Sequence, residues 1–300
     1  ATMVTFRPEE TPEGIKAPRL LDAGQNPPDG VVVFYALKEP PEGEVTLTFL
    51  DAEGREIRTF SSKAPERPQN GADDEKKEPR VPARAGLNRF VWDLRYPAPE
   101  RVEGYATPEA TAPGPLAPPG RYQVRLTVGD RSWTEWFEVV KDPRVTATQE
   151  DFDAQFALLV QIRDKLSQTH AAVNRIRRIK RQLEEWERRA EGLPAHPEVR
   201  QRAQAVTDAL TAIEEDLIQV KAKVREDALN YPLKLNAKLG SLMAVVASAD
   251  ARPTRQAVEV FAELARQVDA CLARLDETVQ RDVEGFGALL REVGVPLVAV

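Results

Sequence analysis

The chain has 300 residues, 42% of them hydrophobic and 30% charged, which is room for two separately cored domains and too apolar for wholesale disorder. A net charge of −6 argues against a general nucleic-acid binder, which needs a basic surface to release counterions. No apolar run approaches the roughly 18 residues of a membrane span, so none is expected.

Taken in order, the opening Ala1 to Glu10 lacks the charged-then-apolar layout of a signal peptide. It also lacks an initiator methionine, which fits a processed product or a piece of a longer protein. Val31 to Leu37 is a β-rich run between Asn26-Pro27-Pro28-Asp29-Gly30 and Pro40-Pro41. Val45 to Leu50 alternates strictly, as a half-buried strand should. Asp51-Ala52-Glu53-Gly54 is a turn, with Glu56 to Ser61 returning as the hairpin partner.

Leu87 to Leu94 places Phe90 and Trp92 on one face. Tyr122, Val124, Leu126 and Val128 alternate, Gly129-Asp130 turns, and Trp133 to Val140 closes a second hairpin. Short strands punctuated by proline and glycine predict an immunoglobulin-like β-sandwich over residues 1–143. Two long polar interruptions, 63–84 and 97–119, are expected to be mobile insertions, with functional loops as the alternative.

Proline places the boundary. By Pro143 the chain has used 19 of its 24 prolines, a residue that helix interiors expel, so residues 144–300 change architecture. Thr148-Gln149-Glu150-Asp151 reads as a capping box. Apolar residues then recur from Phe152 through Leu166 and Ile176 to Trp186, and Gly192-Leu193-Pro194 stops that helix. Val199, Ala203, Val206, Leu210, Ile213, Leu217, Val220 and Val224 alternate steps of four and three, a heptad seam that predicts a helix to about Leu229. A shorter helix follows Pro232, and the last opens near Pro253 and runs to Arg291. Short turns force neighbours antiparallel, giving an elongated, coiled-coil-like three-helix bundle whose middle leg is kinked or split near Pro232. The bundle is expected to be monomeric, with a homodimer through the seam as the alternative.

Chemistry is hard to find. His170 falls near the helical seam, His196 lies in an interhelical turn, and neither has a nucleophile and carboxylate in fixed register with it. Cys271 sits between Val268 and Leu275, where a thiol packs as a small hydrophobe. One cysteine and two histidines build no zinc site, and no phosphate loop occurs. The basic run Arg175, Arg177, Arg178, Lys180 and Arg181 is expected as a solvated face with intrahelical ion pairs to Glu184, Glu185 and Glu187. Trp92, Trp133, Trp136 and Trp186 are expected in the core, Trp133 being the best candidate for a sugar-stacking exception. No catalytic, cofactor-binding or metal residue is assigned.

Gly86-Leu87-Asn88-Arg89-Phe90-Val91-Trp92-Asp93, followed by Pro118-Pro119-Gly120-Arg121-Tyr122, resembles a motif pair of the immunoglobulin-like domain in flagellar hook-capping proteins. The wider order of strands, Asp142-Pro143-Arg144, then helices resembles the C-terminal region of bacterial sortilin-like (VPS10-type) proteins, often labelled BNR-repeat glycosyl hydrolases. That resemblance implies an exported, extracellular or envelope-located module whose partner is a protein, either an upstream propeller or another envelope protein. No Ser-x-Asp-x-Gly-x-x-Trp box occurs here, so glycosidase chemistry is not carried over. The reading is a non-catalytic structural or interaction module. The alternative is an accessory substrate- or glycan-binding region of a glycosyl hydrolase whose catalytic propeller lies elsewhere, and between the two stands a binding module in which Pro97 to Pro119 contacts a glycan or peptide.

Overall fold

The computed structural model describes residues 6–10, 16–20, 28–63, 78–104, 112–222 and 224–295. A β-strand region is followed by a helical region. Contacts divide the chain into two compact units, Ala1–Leu94 with Tyr122–Phe137, and Arg95–Arg121 with Glu138–Val300. Residues 95–121, grouped with the strands by proline density, therefore belong with the helices.

In the first unit, β1 (Phe6–Glu10) and β2 (Lys16–Leu20) form a hairpin that the sequence did not announce, since both strands carry proline and charge. β3 (Val31–Leu37) pairs antiparallel with β6 (Gly86–Trp92). A four-stranded sheet takes the order β5-β4-β7-β8, with β4 Val45–Leu50, β5 Glu56–Ser61, β7 Gly120–Val128 and β8 Arg131–Val139. β4 is buried beyond what its alternation predicts: Leu47 and Phe49 are fully buried, and Thr48 and Leu50 are buried as well, so the strand is not half-buried. The Phe49 ring stacks on Trp92 of β6 with centroids 4.5 Å apart, and Trp92 also meets Tyr122 and Phe137 edge-on. This aromatic cluster is the core of the unit. Gly30 is required beside it, because it adopts φ 141° and an added Cβ would lie 2.1 Å from the Trp92 carbonyl oxygen.

Two expectations for this unit change. Trp133 and Trp136 lie on β8, the edge strand, and are about half exposed (52% and 51%) rather than core residues. Alternation finds a strand, but only strand order tells whether a neighbour covers its side chains. Of the interruption at 63–84, residues 64–77 lie outside the described residues. Its end is anchored: Val81 is buried and donates its N–H to the Ser61 carbonyl, and the Tyr35 hydroxyl donates to the Pro82 carbonyl.

The helical region holds four helical legs among the described residues. α1 (Gln149–Arg189) starts with the expected capping box, in which the Asp151 N–H donates to Thr148 Oγ1 and the Thr148 N–H donates back to the Asp151 carboxylate. α2 spans His196–Leu217 and α3 spans Leu235–Val246. α4 (Arg255–Thr278) continues through one π-helical stretch, Val279–Val283, into α5 (Glu284–Glu292). α1 packs against α2, α3 and α4, and its Ile162, Leu166, Val173 and Ile176 are fully buried. The seam through Leu210, Ile213 and Leu217 is buried as its spacing predicts.

α2 nevertheless stops at Leu217, well short of Leu229, and Val220 and Val224 are not helical. Ile218 turns to an extended conformation (φ −134°, ψ 161°) and is itself fully buried, so core packing ends the helix where no glycine or proline does. The basic run of α1 also pairs differently than expected. Arg177 Nε and Lys180 Nζ both reach the buried Glu214 carboxylate of α2, at 2.8 and 3.0 Å, and Arg175 reaches Asp276 of α4 at 2.7 Å. These ties run between helices because the partners project from neighbouring helices, which spacing along α1 alone cannot reveal.

Candidate functional site

The described part of the 97–119 interruption is built onto α1. Ser167, His170, Asn174 and Arg177 recur at steps of three, four and three, so they form one stripe along the helix. That stripe holds the backbone of residues 100–103. The Glu100 N–H donates to Ser167 Oγ (3.1 Å), and His170 Nδ1–H donates to the Glu100 carbonyl (2.5 Å). Asn174 Nδ2 donates to the Arg101 carbonyl (2.8 Å), and Arg177 Nη1 donates to the Glu103 carbonyl (2.8 Å). A carbonyl only accepts, so the proton sits on Nδ1 of His170. Val102 is buried within the helical core beside this ladder. The expected mobile insertion is, over residues 97–104, a pinned strap. Residues 105–111 lie outside the described residues.

Residues 112–119 return along the same unit and form one wall of an apolar groove of about 590 Å³. The Tyr96 N–H donates to the Pro115 carbonyl (2.9 Å), Arg95 Nη1 donates to the Gly114 carbonyl (2.8 Å), and Gln149 Nε2 donates to the Pro119 carbonyl (2.9 Å). The Tyr96 ring lies 4.7 Å from that of Phe156 on α1. Gly114 permits this approach, since a Cβ there would sit 1.8 Å from the Tyr96 carbonyl oxygen. Phe152, Phe156 and Leu159 of α1 supply the floor. Ala237, Gly240, Ser241 and Ala244 supply the opposite wall from one face of α3, where small side chains leave the space open.

Several polar groups lining the groove are already engaged. Gln155 Nε2 donates to the Val246 and Ala249 carbonyls (2.7 and 2.5 Å), which ties α1 to the end of α3. Lys141 Nζ donates to the Ala147 carbonyl (2.8 Å). Asp142 is chelated by the Arg144 guanidinium, which holds its carboxyl below the usual range. A preformed apolar groove with few free polar groups is suited to receiving side chains of a partner rather than to moving protons.

The candidate residues named from sequence lie elsewhere. His170 is fully buried in the strap ladder, and His196 opens α2. Cys271 is buried on α4, where burial pushes its thiol up. Among the described residues no three of His, Cys, Asp and Glu converge as metal ligands, and no helix is long and apolar enough to cross a membrane. The sequence offers Pro97 to Pro119 as a contact segment but does not show the groove, because a proline-rich stretch becomes a wall only once its tertiary partners are known. One signal was present: the small residues of α3 recur at Ala237, Gly240, Ser241 and Ala244. No protein-family model matches the chain, and no curated protein matches it.

Proposed function

We propose that this chain is a non-catalytic interaction module that receives a segment of a partner protein in the groove between residues 112–119, α1 and α3. One observation carries the reading: the groove is preformed and apolar, and Arg95, Gln155 and Lys141 at its walls already donate to backbone carbonyls. The partner therefore gains affinity from buried apolar surface, at about 25 cal/mol per Å² before ordering costs. On this reading the two sheets that meet through Phe49 and Trp92 are an immunoglobulin-like sandwich serving as spacer. α2 and α3 are the two halves of a split middle leg in an antiparallel three-leg bundle. The chain acts as a monomer. Its place is the C-terminal part of a larger exported bacterial protein of the sortilin-like, BNR-repeat kind, outside the cell or in its envelope, with an upstream propeller or another envelope protein as partner.

The test is selection from a displayed random-peptide library on the full chain, with Ala244→Trp as the counter-target. Ala244 is exposed, so the larger ring fills the groove at little cost to folding. Peptides that bind the natural chain and not the variant are expected. Binders indifferent to Ala244→Trp contradict the proposal. So does turnover of a glycoside, ester or peptide that a point mutation in this chain abolishes.

A second reading is favoured by the half-exposed Trp133 and Trp136 of β8, whose rings offer stacking surface to a sugar. Here the chain is an accessory glycan-binding region of a glycosyl hydrolase. Quenching of tryptophan fluorescence by cellohexaose or chitohexaose, lost in Trp133→Ala and Trp136→Ala, supports it. Unchanged fluorescence removes it.

A further inference from the structure

Beside the groove lies a second depression, of about 450 Å³, lined by Lys234, Lys238, Arg266, Arg274, Cys271 and Asp216 among others. Four of its side chains are cationic and one is a carboxylate. Asp216 is taken by Arg274 at 2.7 Å, and Arg266 is engaged by Glu263 at 2.7 Å. Among the described residues the Nζ groups of Lys234 and Lys238 have no ion-pair partner. The depression thus carries uncompensated positive charge on a chain whose net charge is −6. Leu233 belongs to the walls of both cavities and is half exposed. Lys234 is the N-cap residue of α3 and Lys238 sits on its first turn, one step around that helix from the small residues facing the groove. The apolar groove and the basic depression are neighbouring parts of one surface.

We infer that the groove's occupant is an acidic peptide stretch in which apolar side chains alternate with carboxylates, the apolar ones entering the groove and the carboxylates meeting Lys234 and Lys238 across Leu233. This rests on the groove reading and adds the partner's chemistry. Charge complementarity selects the occupant: a neutral apolar segment would leave both ammonium groups without a partner, and a basic one would be repelled.

The experiment titrates the full chain with two labelled octapeptides, one alternating leucine with glutamate and one alternating leucine with glutamine. The glutamate peptide is expected to bind about tenfold tighter, with that advantage shrinking as salt is raised. The double variant Lys234→Gln, Lys238→Gln, which introduces no new charge, erases the difference, and Lys234→Glu, Lys238→Glu, which sets carboxylates against carboxylates, reverses it in favour of the glutamine peptide. Ala244→Trp weakens both peptides. Equal binding of the two peptides overturns this inference while leaving the groove reading intact, provided Ala244→Trp still abolishes binding. Failure of both peptides to bind overturns the inference together with the groove reading. Lysine-dependent binding to phosphatidylserine vesicles, with no preference for the glutamate peptide, also overturns it.

Discussion

In the strand region aromatic rings make the core, with Trp92 surrounded by Phe49, Tyr122 and Phe137, whereas in the helical region the core is aliphatic and is cross-tied by charge. The difference follows from geometry. A few large rings fill the space between two small sheets, each burying much area with few residues. Long helices instead repeat medium-sized side chains every turn and leave their flanks free for ion pairs such as Arg175 with Asp276. An aromatic core concentrates its stability in single residues. An aliphatic seam spreads it out.

The largest effect should therefore come from Trp92→Ala, which empties a fully buried site at the centre of the cluster and should cost about 4 kcal/mol. Denaturation followed by near-ultraviolet and far-ultraviolet circular dichroism should show the aromatic signal melting first while helicity persists. Loss of both in one transition would break the comparison. Leu210→Ala, fully buried in the α2 seam, should cost about 3 kcal/mol and act on helicity, because its neighbours can partly close the gap.

Smaller still is Glu214→Gln. Its carboxylate is buried, but its partners Arg177 and Lys180 are each partly exposed and can rehydrate, so about 2 kcal/mol is expected. The same change should leave the aromatic signal untouched.

The mildest effects distinguish the regions by pH. Hydrogen bonding from Arg252, then the Thr148 cap, lowers the Asp151 carboxyl from 3.8 to about 2. A depressed carboxyl stabilises above its unfolded value and stops doing so as pH falls through the folded one, so the contribution fades between pH 3.8 and about 2. Asp151→Asn should flatten the acid slope of helical unfolding. Burial raises the Tyr35 hydroxyl from 10.0 to about 12, so its contribution is whole below pH 10.0 and is lost as pH rises through about 12. Tyr35→Phe should flatten the alkaline slope of the strand region alone. Equal effects of either substitution on both regions would contradict independent cores.

What could be read from sequence was what local periodicity encodes. The alternation of Val45 to Leu50 and the Thr148 cap each declare an element, and the spacing of Leu210, Ile213 and Leu217 declares its buried face as well. What could not be read depends on partners distant in the chain. The stop at Leu217 has no local mark, the half exposure of Trp133 and Trp136 follows from β8 being an edge, and the strap at 97–104 is held by side chains some seventy residues away, such as His170 with Glu100. The groove combines these blind spots, because its wall at 112–119 becomes a wall only against α1 and α3.

The most direct test of the account is hydrogen exchange of the full chain with and without a peptide selected on it. Protection is predicted to concentrate in residues 112–119, 152–159 and 233–247, with the β8 strand at 131–139 unchanged. Protection centred on 131–139, or spread evenly over the chain, would contradict a docking groove in the helical region.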